Sequence, residues 1–131
     1  MPLLSGLWAY AHVSDVRRSL GFYIHLGLEA RDTHEHEGRL VWAFVTSSPN
    51  PDRAWARLML AESDEPIEPH AQGVLFYCWT PDVHSLHDSL QLAGIEVGPI
   101  EHPFYMPAGE FRVVDPDGYV LLVGQLDYSA D

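Results

Sequence analysis

The sequence predicts an α+β fold of two βαβββ modules, whose curved half-barrel sheets carry their helices on the outside. Two observations predict it. First, the chain echoes itself at an offset of 67 residues. "HVSDV" at 12–16 returns as "WTPDV" at 79–83, and "LGLEA" at 26–30 returns as "AGIEV" at 93–97. Asp15 therefore falls on Asp82, and Gly27 on Gly94, without a gap. Such self-similarity reads as two similar structural modules. Second, each half passes from strand periodicity to helix periodicity at the same place and ends in an apolar strand, "ARLMLA" at 56–61 and "YVLLVG" at 119–124.

The elements follow in order. In "LWAYAH" the large residues Trp8, Tyr10 and His12 share one strand face, and Leu7, Ala9 and Ala11 share the other. In "VLFYCW" the matching large face is Leu75, Tyr77 and Trp79. A helix follows each strand, with Ser14 and Thr80 as predicted N-caps and Pro81 suited to the second helix's first turn. Val16, Leu20 and Tyr23 stripe the first helix; Val83, Leu86 and Leu90 stripe the second. Gly27 and Gly94 fit the left-handed stop position. Three more strands are predicted per module, at about 28–33, 39–46 and 54–61, then at about 95–98, 109–114 and 119–125. "HEHEG" at 34–38 and "SSPNPD" at 47–52 read as turns. One domain is expected, with module one at about 5–61, a polar linker at about 62–72 and module two at about 73–126.

Composition narrows the function. The 131 residues carry 19 acids against 7 basic residues, a net charge of -12. Nucleic acid would be repelled and a cationic ligand attracted. All seven basic residues are arginine, so lysine chemistry is not available. Cys78 is the single cysteine and reads as a buried, inert thiol. No stretch is long enough to span a membrane as a helix and no secretory signal is visible, so a cytoplasmic location is expected.

Strand, then "VSDVRRSLGFYIHLGLEA", then "GEFRVVDPDGYVLLVGQ" resembles the vicinal oxygen chelate superfamily, over about residues 5–126. That superfamily includes glyoxalase I, extradiol dioxygenases, fosfomycin resistance enzymes and bleomycin resistance proteins. Its metal-dependent members carry His, Glu or Gln at four equivalent strand places, which the resemblance puts here at Trp8, Met59, Leu75 and Leu122. All four are apolar or a weak thioether donor. The resemblance therefore implies a metal-free, cofactor-free member similar to the bleomycin resistance proteins, a homodimer binding a cationic or aromatic small molecule, with antibiotic resistance as its role. Two alternatives stay open: a metal-dependent glyoxalase-like lyase, isomerase or dioxygenase, and a non-enzymatic protein-interaction role.

The candidate ligand-binding residues are Trp8, Tyr10, His12, Trp42, Phe44, Met59, Leu75, Tyr77, Trp79, Phe104, Tyr105, Glu110, Arg112 and Leu122; no catalytic or metal-binding residue is assigned. Aromatic faces offer stacking area and attract cations. Glu110 and Arg112 alternate with Phe111 and Val113, so they share a face, either the pocket side or the outside. Related bleomycin-resistance-like sequences often read Arg-Glu-Phe before the last hairpin, whereas Gly109 stands in the place of that arginine. His34 and His36 in "HEHE" read as a solvated turn, and His84 and His87 as an exposed helix face.

Overall fold

Alternation of small and large residues decides which sheet face each helix covers. In the computed structural model, which describes residues 3–50 and 53–126, β1 (Ala9–Val13) buries Ala11 and Val13 and exposes Tyr10 and His12. Helix α1 (Val16–Tyr23) follows at once. Its N-cap is Asp15, whose carboxylate accepts from the Arg18 N–H, and not the predicted Ser14. A short 3-10 turn, Ile24–Leu26, ends on Gly27 at φ 81°, where a side chain would be strained.

The first sheet has the order β1-β4-β3-β2, with β2 at Glu29–His36, β3 at Arg39–Thr46 and β4 at Arg57–Glu62. β1 and β4 are parallel; the other pairs are antiparallel. Val13, Leu60, Ala43 and Val45 are closed off under Val16 and Tyr23 of α1. The predicted turn at 34–38 is corrected: His34, Glu35 and His36 belong to β2, and the hairpin turns on Glu37 (φ 52°) and Gly38 (φ 77°). β2 is an edge strand exposed almost throughout, so its polar residues meet water as they would in a loop.

The second unit begins near Glu68. It contains β5 (Leu75–Thr80), α2 (Val83–Leu92), β6 (Glu110–Val114) and β7 (Val120–Gln125), with the sheet order β5-β7-β6. The predicted strand at 95–98 shrinks to a single bridge, Val97 to Val113, because Pro99 has no N–H to continue a ladder. Asp82 caps α2 by accepting from the Ser85 N–H, in place of the predicted Thr80. Phe111, Val113, Leu121 and Val123 pack under Val83 and Leu90. His87, predicted to be exposed, is only 13% exposed. Its Nε2 lies 2.8 Å from the Gly98 carbonyl, and its ring meets Phe111 edge-on.

The DPDG turn is a lock within this unit. Oδ1 of Asp115 accepts from the backbone N–H of Asp117 and of Tyr119, both at 2.9 Å. Gln72 donates to the Asp117 carbonyl at 2.9 Å, tying the incoming segment to the turn. Gly118, at φ 88°, lies so close to Pro69 that an added Cβ would come 2.1 Å from the Pro69 carbonyl oxygen. Neither sheet closes into a barrel, and among the described residues no helix is long and apolar enough to cross a membrane.

Candidate functional site

Each unit leaves open the sheet face that its helix does not cover, and the register shows what stands there. In the first unit Tyr10 pairs with Met59, and Met59 with Phe44. In the second, Tyr77 pairs with Leu122, and Leu122 with Arg112. The two triples occupy equivalent lattice points of the repeat.

The first face is aromatic. Trp8 stacks on Phe44 at 4.8 Å between centroids and 20° between planes, and Tyr10 meets His12 edge-on at 5.4 Å. Trp42 lies on the same face, opposite Ala61. The face also holds Arg57, two residues before Met59 and therefore on its side of the strand. That spacing was readable in "ARLML", but the candidate list omitted this arginine. Its Cζ lies 5.6 Å from the centre of the Trp8 ring.

The second face is built around a carboxylate. Glu110 is 7% exposed and pairs with Gly124, so it lies on the open side with Leu75, Tyr77, Trp79 and Leu122. Of the two orientations open for Glu110 and Arg112, the structure has the one facing away from α2. The Tyr77 hydroxyl donates to Oε1 at 2.7 Å, and the Tyr105 hydroxyl donates to Oε2 at 2.8 Å. Among the described residues Glu110 has no cationic partner; Arg112 is exposed and makes no ion pair with it. Trp79, 60% exposed, lies 5.1 Å from the Tyr77 ring. Phe104 is 95% exposed and packs edge-on against Tyr105. Gly124 leaves room for the Met106 methyl group and the Tyr77 hydroxyl, which would lie 2.8 and 3.0 Å from an added Cβ. Met106 was another omission, because loop contacts leave no periodic trace.

Burial first, and then the hydrogen bond to Glu110 and its negative charge, raise the Tyr77 hydroxyl well above the ordinary tyrosine range. The bond to Glu110 raises Tyr105 too. A raised folded pKa contributes stability that is complete below the unfolded value, about 10, and is lost as pH climbs through the folded one. An absorbance titration of tyrosinate is expected to show Tyr77 ionising last, with Tyr105 also delayed, and Tyr77→Phe is expected to remove that last step. Simultaneous ionisation of all tyrosines near pH 10 would contradict this account. Cys78, half-buried on the helix side, is pushed up by burial to about 11 and so remains a thiol at neutral pH.

The places where relatives hold a metal do not fit one here. Trp8 is stacked on Phe44, Met59 offers a thioether, and Leu75 and Leu122 are aliphatic. Among the described residues no three His, Cys, Asp or Glu side chains gather. A depression of about 460 Å³ lies elsewhere on the first unit, but its walls carry side chains already paired, Arg39 with Glu62 at 2.8 Å and Arg17 with Glu35 at 3.4 Å.

A comparison with curated proteins finds no match. Solved structures are similar in fold over nearly the whole chain. TnmS3, an antibiotic binding protein from Streptomyces sp. CB03234, superposes with a TM-score of 0.72 at 21% identity, covering 97% of this chain and 100% of that one. A bleomycin-binding protein complexed with bleomycin gives 0.67 at 17% identity, covering 95% and 100%. A glyoxalase-related enzyme from Clostridium phytofermentans gives 0.75 at 14% identity, covering 96% and 98%. The sequence profile of one family matches residues 8–123. With that match and two βαβ-type units in sequence, the chain belongs to the Glyoxalase/Bleomycin resistance protein/Dioxygenase superfamily.

Proposed function

We propose that the protein binds a cationic aromatic small molecule, without a metal, and sequesters it in the manner of an antibiotic-binding protein. The observation that carries this reading is Glu110, a nearly buried carboxylate with both oxygens fixed by tyrosine hydroxyls and, among the described residues, no cation paired with it. A desolvated carboxylate without a counter-charge favours an incoming ammonium or amidinium group, since charge-assisted hydrogen bonds are strongest out of water. Trp79 and Tyr105 supply exposed rings next to it. The net charge of -12 raises the local concentration of cations. The antibiotic-binding structures that share the fold support a binding role.

The test is a matched pair of probes, 2-naphthylmethylammonium and the neutral 2-naphthalenemethanol, followed by tryptophan fluorescence. The amine is expected to bind more tightly, and part of its advantage should fade with salt as long-range steering is screened. Equal affinities would overturn the reading. A metal-dependent enzyme is the competing class. It requires stoichiometric metal in untagged protein, lost when open-face residues are substituted, whereas well under one equivalent is expected here.

We also propose a homodimer, because an open sheet leaves edges that need cover. Sedimentation at micromolar concentration should show a species of twice the 14.7 kDa chain. A monomer alone would refute it.

A further inference from the structure

The first unit's open face carries a half-buried arginine, Arg57, that the reading above does not use. On its open face β1, β4 and β3 present Tyr10, Arg57, Met59, Trp42 and Phe44, and the acids of that face, Glu29 and Asp32, stand on the far edge strand β2 opposite Thr46 and Phe44. Arg57 is half-buried there. Its Nε is closed off from water without an acceptor, and among the described residues its guanidinium forms no ion pair. What holds it is the face of Trp8, 5.6 Å away, itself stacked on Phe44.

The contrast with the neighbouring arginines is direct. Arg31, on the edge strand β2, donates to Thr46 at 3.0 Å and pairs with Glu29 at 3.3 Å. Arg17 and Arg39 pair with Glu35 and Glu62. In a chain with 19 acids, an arginine drawn onto an aromatic face and left without an acid has kept its donors for something else. A guanidinium presents a planar fork of donors that matches a carboxylate, and an indole beside it gives a flat ring a stacking surface.

We infer that this face is a second binding subsite, which takes a planar aromatic group bearing an acidic oxygen, a carboxylate or phenolate, with the oxygen on Arg57 and the ring against Trp8. This goes beyond the amine reading and does not depend on it. The net charge of -12 favours cations over the chain as a whole, and Arg57 departs from that locally.

The probes are naphthalene-2-carboxylate and its neutral counterpart 2-naphthamide, titrated calorimetrically. Wild-type protein is expected to bind the carboxylate about tenfold more tightly, the gain of one charge-assisted pair. Arg57→Gln should erase the difference, and Arg57→Lys should keep part of it. In the wild-type protein, which avoids any question of folding, the carboxylate should shift the NMR signals of the Arg57 Nε–H and the Trp8 indole N–H. Equal affinity for the two probes, equal loss of both in Arg57→Gln, or unshifted Arg57 and Trp8 signals would each overturn the subsite. The carboxylate pair reports on Arg57 and the amine pair on Glu110, so failure of one leaves the other standing.

Discussion

Alanine at position 118 is expected to destabilise the protein more than alanine at position 27, although the two glycines share nearly the same backbone angle, 88° and 81°. A left-handed conformation costs an L-residue about 1–2 kcal/mol, and this part should be common to both variants. At Gly27 an added Cβ meets nothing within 4 Å. At Gly118 it would come 2.1 Å from the Pro69 oxygen and 2.5 Å from the Pro69 Cα, both backbone atoms that cannot swing aside as a side-chain tip would. The turn or the incoming segment must therefore shift, which also strains the Gln72 bond to Asp117. Urea midpoints measured for the two variants should differ clearly, with Gly118→Ala losing at least twice as much as Gly27→Ala. Equal midpoints would mean that the Pro69 contact is not held in solution.

Glu110→Gln is expected to leave stability nearly unchanged and to remove the preference for amines. The amide is close in shape to the carboxylate. Its oxygen can accept from one tyrosine hydroxyl and its NH2 can donate to the other phenol oxygen, so the clamp formed by Tyr77 and Tyr105 survives. The charge does not survive. A hydrogen bond to a charged group contributes about 1.5–3 kcal/mol, so affinity for 2-naphthylmethylammonium should fall by roughly ten- to a hundredfold. Affinity for 2-naphthalenemethanol should stay within about twofold, since stacking on Trp79 does not involve the charge. An amine affinity unaltered by the substitution would remove Glu110 from the site. A large drop in melting temperature would instead assign it a structural role.

Much of the fold was legible because it is written in local periods. Alternation in "LWAYAH" and "VLFYCW" sorted the large residues of β1 and β5 onto one face, and a helix follows each of these strands as expected. The caps were misplaced by one and two residues because Ser14 stands beside Asp15, and Thr80 near Asp82, and all three residue types compete for the same backbone N–H groups. β2 was cut short because an exposed edge strand has no buried partner to impose a pattern. His87 was readable and missed: it follows Val83 by four residues and precedes Leu90 by three, the spacing of a buried stripe. The candidate site was less legible. Face membership follows from parity, which would have included Arg57, but the Tyr105 contact with Glu110 depends on a loop that returns over the sheet, and no period records that.

The equivalence of the two registers has an evolutionary consequence. Met59 and Leu122 are counterparts, so Ala61 corresponds to Gly124, and Trp42, which faces Ala61, corresponds to Glu110, which faces Gly124. One lattice point thus carries an indole in one copy and an acid in the other. By the same counting Arg57 corresponds to Val120. A duplicated scaffold lets each copy change its chemistry at a given point without disturbing the other, because each face is supported by its own helix and its own strand ladder. Under the proposed binding role, a substitution in one half would alter the preference of that face and leave the chemistry of the other unchanged.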